Sequence, residues 1–125
     1  MKNTNFAKII KITKNTIMEV LCINDKYPNN TLFFWKLHGV SHPLDEKMYN
    51  IRDAVRHFDG STGFRFEEIQ NPTVPIKHPI LGQIDYEPTF DTKRFVKLNG
   101  EPLSKEEVEE YIVPFVTPMK FDVLN

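Results

Sequence analysis

Apolar and polar positions along the chain fall into short, differently patterned runs. Leu44, Met48, Ile51, Val55 and Phe58 step by four, three, four and three, which is the stripe of an amphipathic helix over about 44–58. Ser41 or His42 lies near its N-cap, Pro43 suits its first turn, Asp45 and Glu46 suit the N-terminal dipole, and Gly60 stands where it should stop. The run Thr31–His38 carries Phe33, Trp35 and Leu37 on one alternating face and Leu32 and Phe34 on the other. That pattern predicts a central strand covered on both sides.

Residues 6–23 are rich in β-branched side chains, including Ile9, Ile10, Ile12, Ile17, Val20 and Ile23. They favour two strands joined at Lys14-Asn15, with a single helix as the alternative. Asp25–Asn30 has the composition of a loop. Gly63–Ile69 and Arg94–Leu98 read as strands, the second followed by the turn pair Asn99-Gly100. Ser104 and Glu107 have the spacing of a capping box, with Leu103 placed to pack on Val108, so a short acidic helix is expected over about 104–113, stopped by Pro114. Phe115–Val123 is a candidate last strand. Between them, Pro72, Pro75, Pro79 and Pro88 divide residues 71–90 into short extended pieces, which confines the segment to edge strand or loop.

This order predicts an α+β fold with a mainly antiparallel sheet and two helices. The connections are too short for a doubly wound parallel sheet. The 125 residues suit one domain, 1–125, with the Pro-rich segment as part of it.

Composition narrows the setting. One cysteine, Cys22, excludes an internal disulfide and reads as a buried apolar group. Lysines at 8, 11 and 14 interrupt the N-terminal apolar residues, so no signal-peptide core is seen, and no run is long enough to span a membrane. A cytoplasmic protein is expected. Abundant Lys, Asn and Ile with two Ala match an AT-rich coding genome, bacterial or phage. The net charge of −1 conceals a split: +4 over residues 1–42, −2 over 43–70, +1 over 71–100 and −4 over 101–125. Such a dipolar chain lacks the concentrated basic footprint of a duplex-DNA binder, and nucleic acid is not an expected partner.

No phosphate-binding loop, dinucleotide fingerprint, zinc-protease motif, nucleophile elbow or Cys-x-x-Cys occurs in the chain. No cofactor is expected, and the balance leans away from an enzyme. His38 and His42 have the separation of two metal ligands, but Gly39 and Pro43 set them in non-helical chain, and a zinc site needs three or four ligands. Arg52 and Arg56, neighbours on a helix at this spacing, form with His57, Lys77 and His78 a candidate anion site, since arginine forks match oxyanions. Ten Phe, four Tyr and Trp35 are many for one small core. Trp35, and Tyr86 in the Pro-rich segment, are therefore candidate interface anchors.

Two functions follow. The first is a small protein-interaction module, an adaptor, inhibitor or oligomeric subunit, that binds another protein or itself. The second is a small-ligand or nucleotide/phosphate-binding domain, extending to a hydrolase that uses the Arg/His set.

Overall fold

The computed structural model describes residues 18–115. Of the hairpin expected over 6–23, residues 6–17 lie outside the described residues, as does the last strand beyond Phe115; its second half is seen as the strand Glu19–Cys22. Among the described residues the fold is α+β with antiparallel sheets and two helices. In chain order it comprises β1 (Glu19–Cys22), α1 (Asn29–His38), β2 (Met48–Arg56), β3 (Thr62–Phe66), β4 (Val74–His78), β5 (Gly82–Tyr86), β6 (Phe90–Asp91), a 3₁₀ turn (Thr92–Arg94), β7 (Phe95–Lys97), α2 (Lys105–Glu109) and β8 (Ile112–Val113).

The main sheet runs β6-β3-β2-β1-β7, and β8 joins β2 in parallel through Ala54↔Ile112 and Val55↔Val113. Its other pairings are antiparallel. The core gathers Val20 and Cys22 of β1, Tyr49, Ile51 and Ala54 of β2, Phe64 and Phe66 of β3, Phe90 of β6, Phe95 of β7, and Tyr111. Cys22 is thus a core residue, and burial pushes its thiol pKa up.

Two elements exchange identity relative to the sequence expectation. The predicted helix over 44–58 is the strand β2. Of its stripe only Ile51 and Val55 are buried, while Leu44, Met48 and Phe58 are exposed. The cause is a register shift between Ile51 and Asp53. A bulge inserts one residue, so buried positions run Tyr49, Ile51, Ala54, and spacings of two and three imitate a helical repeat. Asn50 and Asp53 are also poor helix formers.

Conversely, the predicted strand Thr31–His38 belongs to helix α1. Gly39 ends it in the left-handed conformation, φ 74°, with its N–H on the Lys36 carbonyl and the Val40 N–H on the Trp35 carbonyl. Those two bonds form a Schellman closure, which demands a residue without a Cβ penalty at Gly39. Lys36 and His38 in the last turn suit the C-terminal dipole. The helix is anchored by Trp35, whose ring meets Tyr27, Phe90 and His42 at 4.8, 5.5 and 5.9 Å. The run was apolar on both alternating faces because it is an apolar helix with a free side: Phe33 and Leu37, four apart, are each 69% exposed.

The acidic helix is shorter than 104–113. Its capping box is present, with Ser104 Oγ accepting from Glu107 N and Glu107 Oε1 accepting from Ser104 N. It ends at Glu109 because Tyr111 turns into the core and β-branched Ile112 and Val113 pair with β2.

The Pro-rich segment forms the hairpin β4–β5, whose strands pair only with each other among the described residues. A two-stranded ribbon leaves one edge of each strand unpaired, so Pro75 can sit inside β4.

Candidate functional site

Tyr27 and Arg94 fasten α1 to the β6–β7 connection. The guanidinium lies 3.8 Å from the Tyr27 ring centre and donates to the carbonyls of Asn24 and Lys26. Burial pushes the Tyr27 phenol up to about 12, against the lowering effect of Arg94. An unfolded tyrosine titrates near pH 10. The neutral phenol therefore supports the fold fully below pH 10, and that support drains away as pH rises from 10 towards 12. The urea midpoint should fall through this window, and fall less steeply in Tyr27→Phe; a midpoint flat across it would contradict the burial of the phenol. Tyr86 and Tyr111, raised by the same cause, act in the same direction.

Residues singled out from sequence separate into several places. Trp35 is committed to the core side of α1. Arg52 is consumed by Glu87, through Nη1 and Nη2 at 3.1 and 2.5 Å, and by the carbonyls of Phe66 and Ile69. The hydrogen bond to Glu87 holds its pKa above the ordinary arginine value. Beside it Arg65 binds Asp53 through Nε at 2.8 Å. Arg56 instead reaches Glu109 of α2 and borders a cleft. In a strand the two arginines serve different partners, so they do not make the shared oxyanion fork that helical spacing implied.

His57 and Tyr86 do come together, whereas His78 sits at the opposite end of the ribbon and, among the described residues, is linked to them only through Phe115. His57 Nε2 is 2.7 Å from Tyr86 Oη and 3.0 Å from Thr89 Oγ1, which are 2.8 Å from each other. On its other side His57 Nδ1 lies 3.2 Å from Ser61 Oγ. Ser61 donates both its hydroxyl, at 2.7 Å, and its backbone N–H, at 2.9 Å, to Asp59 Oδ1. These bonds hold the Asp59 carboxyl below its usual pKa. With the Ser61 hydroxyl proton directed at Asp59, Ser61 Oγ is left to accept from His57 Nδ1. A nucleophilic serine would donate to the imidazole instead. This chain of bonds fastens the base of the hairpin to the β2–β3 turn. Phe115 stacks on Tyr86 at 5.0 Å and meets His78 at 5.3 Å.

At the other end of the hairpin His78 Nδ1 accepts from the N–H groups of both Ile80 and Leu81, each at 3.0 Å. The tip backbone is thus held by its own side chain. Ile80 is 72% exposed and Leu81 49%, and Phe58, also exposed, lies 5.8 Å ring to ring from His78. Lys77 stands on the same strand and is exposed.

His38 and His42 take separate aromatic neighbours, Phe34 at 4.4 Å and Tyr27 at 5.1 Å, and His42 Nδ1 is 2.8 Å from its neighbour's carbonyl. Among the described residues no group of three or more His, Cys, Asp or Glu is placed to hold a metal ion. None of the described helices is long and apolar enough to cross a membrane.

Sequence reasoning missed Ser61, Thr89, Ile80 and Leu81. The Asp59-x-Ser61 turn was a local signal for the first; nothing local joined Thr89 to His57. In comparisons with known proteins, no family model, curated protein or solved structure matches this chain.

Proposed function

We propose that this protein is a small interaction module that acts in the cytoplasm by binding another protein through the tip of the β4–β5 hairpin. One observation carries the reading: an apolar tip, Ile80 and Leu81, stands exposed on a hairpin whose tip and base are both tied down, with exposed Phe58 against the His78 ring. Large apolar groups held out to water mark recognition surfaces. A backbone already ordered in its binding shape loses less entropy on association. The lone buried cysteine supports the reducing compartment. The fitting partner offers an apolar groove with an acidic rim for Lys77; a second copy of the chain is the homo-oligomeric form of the same reading.

The test pairs wild type with Ile80→Ser/Leu81→Ser in affinity capture from the source cells, followed by binding measurements with the recovered protein. Loss of two apolar anchors should weaken a true complex at least about tenfold, with little change in melting temperature. Equal affinity of the two forms would remove the hairpin tip from the interface. Light scattering on both forms separates self-association from a foreign partner.

A further inference from the structure

Three cations far apart in sequence converge on one cleft. It encloses about 490 Å³ between the end of β2, the 3₁₀ turn and α2, and is lined by Arg56, Lys93 and Lys105 together with Thr62, Thr92 and Ser104. Glu109, the one carboxylate lining it, is engaged by Arg56. The ammonium groups of Lys93 and Lys105 have no ion pair among the described residues. The cleft is therefore locally positive in a chain of net charge −1. Gathering like charges around a concavity focuses a field that an entering anion relieves.

A second concavity of about 290 Å³ adjoins the first, sharing Thr92, Lys93, Leu103 and Val108 with it. Its remaining walls are Ile23, Phe95, Val96 and Pro102. Those side chains offer no polar partner. The polar residues of this lobe, Thr92 and Lys93, are the ones it shares with the first cleft, so its other walls are apolar. An aliphatic chain gains about 0.8 kcal/mol for each CH₂ removed from water.

From this juxtaposition we propose a binding site for a small aliphatic acid. Its carboxylate lies among Arg56, Lys93 and Lys105, and its hydrocarbon chain fills the apolar lobe. Charge-assisted hydrogen bonds to the head and dispersion contacts along the tail act on opposite ends of one molecule, so neither end alone binds well. This site uses none of the hairpin-tip residues, and either reading can fail without the other.

The experiment titrates the full chain calorimetrically with octanoate, octanol and acetate. Octanoate should saturate one site, with octanol and acetate each at least about tenfold weaker, because one lacks the charged contact and the other the apolar burial. Lys93→Gln/Lys105→Gln should weaken octanoate about tenfold and leave octanol unchanged. Ile23→Ser, at a half-exposed wall position, should weaken octanoate while its circular dichroism stays that of the wild type. Amide shifts at Thr92 and Val108 on octanoate addition locate the ligand. Absence of saturable binding at millimolar octanoate overturns the proposal. So does equal affinity for octanoate and octanol, or an unchanged octanoate affinity in the lysine double variant. A leucine-terminated peptide binding through its free carboxylate tenfold tighter than octanoate would make this a peptide site instead.

Discussion

Phe66→Ala should lower the unfolding free energy by about 3–5 kcal/mol, the usual cost of deleting a fully buried aromatic ring. Phe66 is inaccessible to solvent on β3, and its ring meets Phe95 at 4.9 Å, Tyr49 at 5.4 Å and Phe64 at 6.0 Å. Those neighbours lie on β7, β2 and β3, so collapse around the hole would have to shift several strands together. A domain of this size has about 5–15 kcal/mol to lose, and urea titration should find the variant near its limit. The matched control is Phe33→Ala on the outer side of α1. The same atoms are removed there from water, and the change should stay within about 0.5 kcal/mol. Similar costs at the two sites would mean that the interior has been assigned to the wrong phenylalanines.

Gly63→Ala should cost about 2–3 kcal/mol, at the upper end for one extra methyl group in a packed interior. A Cβ at Gly63 would stand 2.2 Å from Thr89 Oγ1 and 2.6 Å from Thr89 Cβ, with the Phe90 nitrogen at 3.2 Å. Thr89 is too short to swing away. Strand β6, which pairs with β3 through Gly63↔Asp91 and Phe64↔Phe90, must move instead. That movement carries Thr89 off His57 and loosens Tyr86, so the melting transition should fall together with amide protection at the hairpin base. Thr89→Ala removes part of the obstruction. The alanine at 63 should then cost less in that background than in the wild type, a non-additivity expected only of touching residues. Strict additivity would show that Gly63 and Thr89 do not meet.

What could be read from the chain was what local chemistry determines. The strands around Phe64–Phe66 and Phe95–Lys97, the Asn99-Gly100 turn and the Ser104/Glu107 capping box each rest on neighbours in sequence. The proline spacing likewise located an edge ribbon. The exchange of helix and strand at 29–38 and 48–56 had a different origin. Inside β2 a bulge disguised alternation as a helical repeat, whereas in α1 an apolar outer face disguised a helix as a buried strand. Gly39, followed shortly by His42 and Pro43, was the stop signal that could have corrected the second. The site was legible only as a set of names. His57 and Tyr86 are 29 residues apart, and Arg56 meets Lys93 and Lys105 only once α2 is folded back on the sheet. Arg52 looked available because its acid, Glu87, arrives 35 residues later in the chain, just after the hairpin.

Strand β2 is completed along one edge by two elements of opposite origin. Its first residues pair with β1, the earliest described strand, and Ala54 and Val55 pair with β8, the latest. The Ala54 N–H finds its acceptor, the Tyr111 carbonyl at 2.8 Å, only when that final stretch is in place. Local hairpins such as β2–β3 and β4–β5 close quickly, whereas a junction of distant segments must await the loop entropy of the chain between them. As the polypeptide leaves the ribosome, the half-edge of β2 at Ala54 and Val55 stays open until the residues of β8 emerge. During that interval it is an unpaired edge of the kind to which foreign strands add, and docking of β8 removes it.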